Sequence, residues 1–337
     1  MQAAWYERRG TAREVLKVGE LPTPEPRPGT VRVRIAVSAV NPSDTKGRSG
    51  TGAVAGATMP YPRIIPHQDG AGVIDKVGPG VDPARVGERV WLYMAQRDGS
   101  AFGTAAEYAV VPAHKAVRLP ERASFSDGAS LGIPAMTAHY ALFAGGPIDG
   151  KAVLVQGGAG AVGFYAVQLA KTGGARLVLA TVSREEQAAK ARSAGADAVI
   201  NYKTEDVVAR VRALAGGDAA IDRIVEVALG VNVAADAAVL ARNGVIATYS
   251  SDAVREPKVP FGALLQKDAA IHFLLIYEAP QAARDAAARD INALIEAGRL
   301  QHQVAKRFPL SEVAAAHEAM ESGTLVGKIL VDVAKLD

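Results

Sequence analysis

The rhythm of hydrophobic positions along the chain changes near Ser124. Before it, apolar residues come in short alternating runs. Val31-Arg32-Val33-Arg34-Ile35-Ala36-Val37 repeats every second residue, the period at which a strand turns one face inward. Residues 71–77 and 89–93 read the same way, separated by Gly-Pro-Gly and Gly-Glu turns, and a loop with Pro22, Pro24, Pro26 and Pro28 precedes the first strand. After Ser124, continuous apolar runs alternate with alanine-rich helical stretches. The strand candidates are 152–155, 177–181, 198–200, 221–227, 245–249 and 271–277. A helix over 281–297 and a last strand over 327–333 follow. Apolar strands separated by helices predict an α/β fold with a doubly wound parallel sheet. The apolar run 269–277 is too short to cross a bilayer and is expected to be a buried strand.

Between the strand at 152–155 and a helix expected over 164–171 lies Gln156-Gly157-Gly158-Ala159-Gly160-Ala161-Val162-Gly163. Gly158, Gly160 and Gly163 form G-x-G-x-x-G in its strand–turn–helix setting, which predicts a Rossmann dinucleotide site. The first glycine permits the tight turn, the second lets backbone approach a pyrophosphate, and the third lets helix and strand pack closely. The helix start then offers free N–H groups to the anion.

A length of 337 residues suggests two domains. With 38 basic and 35 acidic residues and no long Lys/Arg run, a nucleic-acid partner is not expected. A polar, charged start speaks against a signal peptide, and a cytoplasmic location is expected. The absence of cysteine rules out disulfides, thiolate catalysis and cysteine-ligated zinc.

Several further motifs run in order along the chain. They are Asn41-Pro42-Ser43-Asp44 with Arg48-Ser49-Gly50, Asp69-Gly70-Ala71-Gly72-Val73-Ile74, Gly103-Thr104-Ala105-Ala106-Glu107-Tyr108 and Gly132-Ile133-Pro134-Ala135-Met136-Thr137-Ala138. Gln168-Leu169-Ala170-Lys171, Asn201-Tyr202 and Gly327-Lys328-Ile329-Leu330 complete the set. Together with the glycine turn, they resemble the zinc-independent, ζ-crystallin-like quinone oxidoreductases of the medium-chain dehydrogenase/reductase superfamily. The resemblance implies a GroES-like β-barrel catalytic domain over 1–123 and 278–337, interrupted by a Rossmann domain over 124–277. It also implies a homodimer or homotetramer. Zinc-dependent members carry Cys at the position of Asn41 and a ligand His at that of Gln68, so no metal is expected. His67 is expected on a loop near the active site.

No acid ends the second Rossmann strand at Thr181-Val182-Ser183-Arg184, where an NAD-type site would place one on the ribose. Ser183 and Arg184 are suited to a 2′-phosphate, which predicts NADPH as cofactor. The competing reading makes Arg184 a solvated helix-start residue and Glu185 the ribose ligand. By family position, further cofactor contacts are Gly158 to Gly163 (with Ala159, Ala161 and Val162), Thr137, Thr181, Tyr202, Asn232, Thr248, Tyr249, Ser250, Ser251, Phe273, Leu274 and Leu275.

The catalytic candidates are Asn41, Asp44 and Lys46, the last standing where quinone reductases often have Tyr. Hydride transfer to a quinone needs little beyond a shaped slot, which fits a site without an obvious acid or nucleophile. Reduction of an enone or enal is the alternative and requires a placed proton donor. A non-catalytic NADPH-binding role is the alternative of another class.

Overall fold

Alternation over 31–37 produces the longest strand of the molecule, and the first unit is built on it. In the computed structural model, which describes residues 1–52, 55–217 and 220–336, the chain divides into two compact units. One comprises Met1–Ile133, Ile295–Ala297 and His302–Asp337, the other Pro134–Leu294 and Gly298–Gln301. The sequence reading places the boundaries at 123/124 and 277/278. The divisions between the compact units fall within one helix, between Ile133 and Pro134, and near the end of another.

The first unit begins with the hairpin-like pair β1 (Gln2–Trp5) and β2 (Lys17–Glu20), joined through the short helix α1 (Ala12–Val15). Then come β3 (Thr30–Val40), α2 (Pro42–Ser49), β4 (Asp69–Val77), β5 (Arg89–Leu92), β6 (Tyr108–Pro112) and β7 (Ala116–Arg118). The inward residues of β3, Val31, Val33 and Ile35, are fully buried against Ile74, Val90, Leu92, Ala109 and Val111. Helix α3 (Phe125–Phe143) leads into the second unit.

That unit is a run of parallel strands and helices: β8 (Ala152–Val155), α4 (Ala161–Thr172), β9 (Leu177–Val182), α5 (Glu185–Ser193), β10 (Ala198–Asn201), α6 (Val207–Ala215), β11 (Ile221–Glu226), α7 (Leu229–Val239), β12 (Leu240–Thr248), α8 (Phe261–Leu265) and β13 (Ala270–Phe273). The strand order is β10-β9-β8-β11-β12-β13, all parallel. The order reverses between β8 and β11, and ligands of such sheets bind beyond the carboxyl ends at that point. After α9 (Gln281–Glu296), β14 (Val304–Pro309), α10 (Val313–Glu321) and β15 (Lys328–Asp332) return to the first sheet, ordered β14-β15-β3-β4-β5-β7 with β6 also on β3.

Two strands differ from expectation. Strand β12 starts at Leu240, not 245, because Asn243 takes a left-handed conformation (φ 58°) within a polar stretch that hides the strand pattern. The run 269–277 is not a buried strand. Strand β13 ends at Phe273, and Phe273 and Leu275 are 73% and 52% exposed. It is an edge strand with a neighbour on one side only, so apolar composition alone could not bury it.

Candidate active site

The glycine turn forms where the reversal point needs it. Strand β8 ends at Val155, Gly157 turns with φ 71°, and α4 starts behind Gly160 without a side-chain cap. The N–H groups of Ala161, Val162 and Gly163 therefore keep the orphan positions of a helix start. A Cβ on Gly163 would stand 2.2 Å from the Gly157 carbonyl oxygen, and one on Gly158 would stand 2.5 Å from Ala180 Cβ. Gly160 is exposed, its nearest obstacle being the Gly157 oxygen at 3.3 Å. Two glycines thus serve close packing, while the third leaves backbone open to an anion. The turn fits a pyrophosphate.

Beside it, Asn201 pairs with Val182, and the Tyr202 N–H donates to the Val182 carbonyl at 3.0 Å. Tyr202 is thereby brought next to the end of β9, with its ring half exposed. The Lys203 ammonium lies 5.7 Å from that ring, a cation the sequence reading did not single out. Arg184 is partly exposed, with Glu186 at 3.7 Å. Glu185 is engaged by Arg192 at 2.7 Å. The Ser183 N–H and hydroxyl both donate to Gln187 Oε1 at 2.9 Å, so Gln187, one turn on, orients the serine.

Further along the same carboxyl edge, at the end of β12, Thr248 is buried and Tyr249 half buried; Thr137, on α3, is buried as well. The Leu274 N–H donates to the Thr248 carbonyl at 2.7 Å, and the Gly230 N–H donates to Ser251 Oγ at 2.9 Å. Ser250 Oγ reaches Asp252 at 3.3 Å. The side chain of Asn232 is turned to Glu226, with Nδ2 3.1 and 3.2 Å from its carboxyl oxygens. These residues belong to the second unit, whereas Asn41, Asp44 and Lys46 belong to the first.

In the first unit, Asn41 precedes α2, and its N–H donates to Asp44 Oδ2 at 2.7 Å. Its amide Nδ2 donates to Asp69 Oδ2 at 2.8 Å, and its Oδ1 accepts from Lys328 Nζ. Lys328 Nζ is also 3.2 Å from Asp69 Oδ2, and the Ile133 N–H donates to Asp69 Oδ1 at 2.9 Å. Asp69 and Lys328 are 0% and 3% exposed. A buried ion pair requires added hydrogen bonds of this kind to offset desolvation. Asp44 is also buried; burial and the neighbouring Asp69 charge push its carboxyl up to about 7. Lys46 lies two residues further along α2, half buried, its stem passing over Gly52. Lys328 and Asp69 enter the sequence reading only as members of motifs; each is the first residue of its strand, where a charge reads as belonging to a turn.

His67 lies on the loop that precedes β4, as expected, but its side chain does not face solvent. It is fully buried with φ 80°, its Nδ1 2.7 Å from Ser38 Oγ and its Nε2 3.0 Å from His317 Nε2. Burial lowers its pKa to about 3, so the ring is neutral.

The chain matches two family models, the alcohol dehydrogenase GroES-like domain over residues 27–121 and the zinc-binding dehydrogenase model over 194–331. The fold and the glycine turn thus define a medium-chain dehydrogenase/reductase. Human quinone oxidoreductase is 30% identical over 321 residues, covering 94% of both chains. Escherichia coli quinone oxidoreductase complexed with NADPH superposes with a TM-score of 0.84 at 27% identity, over 98% of this chain and 100% of that one. An NAD-dependent alcohol dehydrogenase superposes with a TM-score of 0.87 at 29% identity, over 99% and 100%. The chain belongs to the quinone oxidoreductase family and is a nicotinamide-dependent oxidoreductase.

The donor set does not suit the zinc that one of these models names. Asn41, at the position where the family resemblance puts a zinc-binding cysteine, accepts from the Lys328 ammonium, which also lies 3.2 Å from Asp69 Oδ2. His67 points its ring nitrogens at Ser38 and His317. Among the described residues no three His, Cys, Asp or Glu side chains gather as a metal site.

Proposed function

We propose that the protein reduces a quinone with NADPH, without zinc. The observation that carries this is the match to human quinone oxidoreductase over 94% of both chains. The Asn41–Asp69–Lys328 cluster supports it, since Asn41 and Asp69 are engaged by a lysine ammonium and each other, a donor set that suits no zinc ion. NADPH supplies the hydride when bound. A quinone that takes a hydride and one proton leaves as hydroquinone, and the other product is NADP⁺.

The glycine turn and the start of α4 hold the pyrophosphate, with Gly158, Gly160 and Gly163 in the roles described. Arg184, Tyr202 and Ser183 read the 2′-phosphate, and Lys203 adds charge beside them. Arg184 offers the charge-assisted contact that separates NADPH from NADH. Thr137, Asn232, Thr248 to Ser251 and the backbone of Phe273 to Leu275 complete the cofactor contacts. Asp44 holds a proton through a good part of the neutral range, which suits it to supply the one the acceptor needs. The Asn41 N–H positions that carboxyl, and the Lys328 charge lowers its pKa. Lys46 lies on the same helix and is the candidate contact to an acceptor oxygen.

NADPH oxidation by a simple naphthoquinone, followed with hydroquinone formation, tests the proposal. Saturable consumption, with one hydroquinone formed per NADPH, is expected. Binding of NADPH with no consumption across quinones, enones and aldehydes would assign a non-catalytic role instead.

A further inference from the structure

A file of hydrogen bonds runs under the glycine turn, and its directions can be worked out atom by atom. The Gly157 N–H donates to Thr181 Oγ1 at 3.0 Å, and the Thr181 hydroxyl donates to Gln156 Oε1 at 2.7 Å. With its oxygen so used, Gln156 presents Nε2, which donates to Asp236 Oδ1 at 2.9 Å. Asp236 in turn hydrogen bonds the carboxyl of Glu226. Glu226 already accepts from the Ala228 N–H and from Asn232 Nδ2. Two carboxyl groups cannot hydrogen bond without a proton between them. Glu226 receives donors on both oxygens, whereas Asp236 Oδ2 has no other donor in reach. The proton therefore sits on Asp236 and is donated to an ionised Glu226.

Both side chains are fully buried. The charged groups on neighbouring elements are committed elsewhere. Arg223 of β11 donates to the Ala141 and Leu142 carbonyls, and Arg210 of α6 pairs with Glu205. Lys267, beyond α8, donates to the Ala237 and Ala238 carbonyls at the end of α7. Arg212 of α6 and Arg242 of β12 are exposed. Tyr249, at the end of β12, adds no positive charge; the Glu226 charge and burial push its own hydroxyl up. Burial and the Glu226 charge hold the Asp236 carboxyl well above the usual range.

We propose that Asp236 is a positioning residue for the cofactor, whose single shared proton ties the glycine turn at Gly157 to Asn232 through Gln156 and Glu226. Loss of that proton leaves two buried carboxylates facing one another, and their repulsion drives apart the segments that carry the Gln156 and Asn232 contacts. Cofactor affinity then falls as pH rises. The sign follows from linkage: a form that binds cofactor only when protonated keeps full affinity below the pKa of the free protein and loses it above.

This inference rests on the dinucleotide reading of the turn. Asp236→Asn keeps the shape, accepts from Gln156 and donates permanently to Glu226. The test is NADPH binding to the full chain by cofactor fluorescence from about pH 7 to about pH 10, for wild type and Asp236→Asn, with thermal unfolding measured in parallel without cofactor. Wild-type affinity should fall by about tenfold or more, and Asp236→Asn by less than about threefold, a difference that reads one proton. Parallel declines in the two proteins would overturn the proposal. Should neither protein bind NADPH or NADH at any pH, the dinucleotide reading itself fails and takes the affinity claim with it. An alkaline loss of thermal stability confined to wild type would then still show the shared proton. Glu226→Gln, which lets Asp236 ionise beside a neutral donor, should also flatten the affinity profile; an unchanged wild-type slope counts against the proposal.

Discussion

Replacing Lys328 by Met removes the one cation from a buried cluster that holds two carboxyl groups. Asp69, 0% exposed, would keep the Asn41 amide and the Ile133 N–H but lose its counter-charge at 3.2 Å. Breaking one side of a buried pair typically costs about 3–5 kcal/mol, because the remaining charge is left uncompensated. Burial already raises the Asp69 carboxyl while Lys328 lowers it, so the variant raises it further. An acid whose folded pKa lies above its unfolded value contributes stability fully present at low pH and lost as pH rises. The deficit of Lys328→Met should therefore be small in acid and grow toward alkaline pH. Denaturant unfolding at about pH 5 and about pH 8 is the assay, with Lys328→Met/Asp69→Asn as the partner variant, which should recover much of the loss. Asp44 should respond too, since Lys328 holds its carboxyl down. A deficit below about 1 kcal/mol at both pH values would refute the reasoning, because it would mean that the ammonium does not compensate Asp69.

Arg184→Ala should weaken NADPH by roughly ten- to a hundredfold, about 1.5–3 kcal/mol for one charge-assisted contact, and leave NADH nearly unchanged. Equal weakening of both in a titration means that Arg184 does not read the 2′-phosphate. Gly163→Ala places a Cβ 2.2 Å from a backbone oxygen, so NADPH binding and thermal stability should both drop. Gly160→Ala, whose Cβ would meet the Gly157 oxygen at 3.3 Å, should cost less stability than Gly163→Ala while still lowering cofactor affinity. Incubation with chelator should leave activity intact, because Asn41 and Asp69 are engaged by the Lys328 ammonium; stoichiometric zinc by elemental analysis, with activity lost on its removal, would overturn this.

The second unit was legible because its signals are local. The strand at 152–155, the glycine turn and the helix behind it are contiguous, and the spacing of Gly158, Gly160 and Gly163 encodes packing distances found within a few residues. What the sequence concealed are pairings between distant segments. Lys328 meets Asn41 across 287 positions and His67 meets His317 across 250, and no periodicity announces either. Asp69 sits next to a glycine-rich strand and reads as a turn residue until Lys328 is beside it. Asp236 looks like the polar face of an alanine-rich helix, and only Gln156 and Glu226, from two other segments, make it a buried acid. Phe273 and Leu275 mislead in the opposite sense, since an apolar run does not reveal that its strand lies at a sheet edge.

The acceptor remains the most direct test of the functional claim. The kcat/KM of a planar naphthoquinone should be set against that of an acyclic 2-alkenone at equal NADPH, in wild type and in Lys46→Ala. A hydroquinone anion is stable and can take its proton from solvent as well as from Asp44, while an enolate, even with a proton from Asp44, needs a contact that stabilises its charge where it forms. The account predicts that the quinone is the better substrate and stays so in the variant. A wild type that favours the alkenone, with that advantage lost in Lys46→Ala, would contradict it and make the protein a double-bond reductase with Lys46 at its centre.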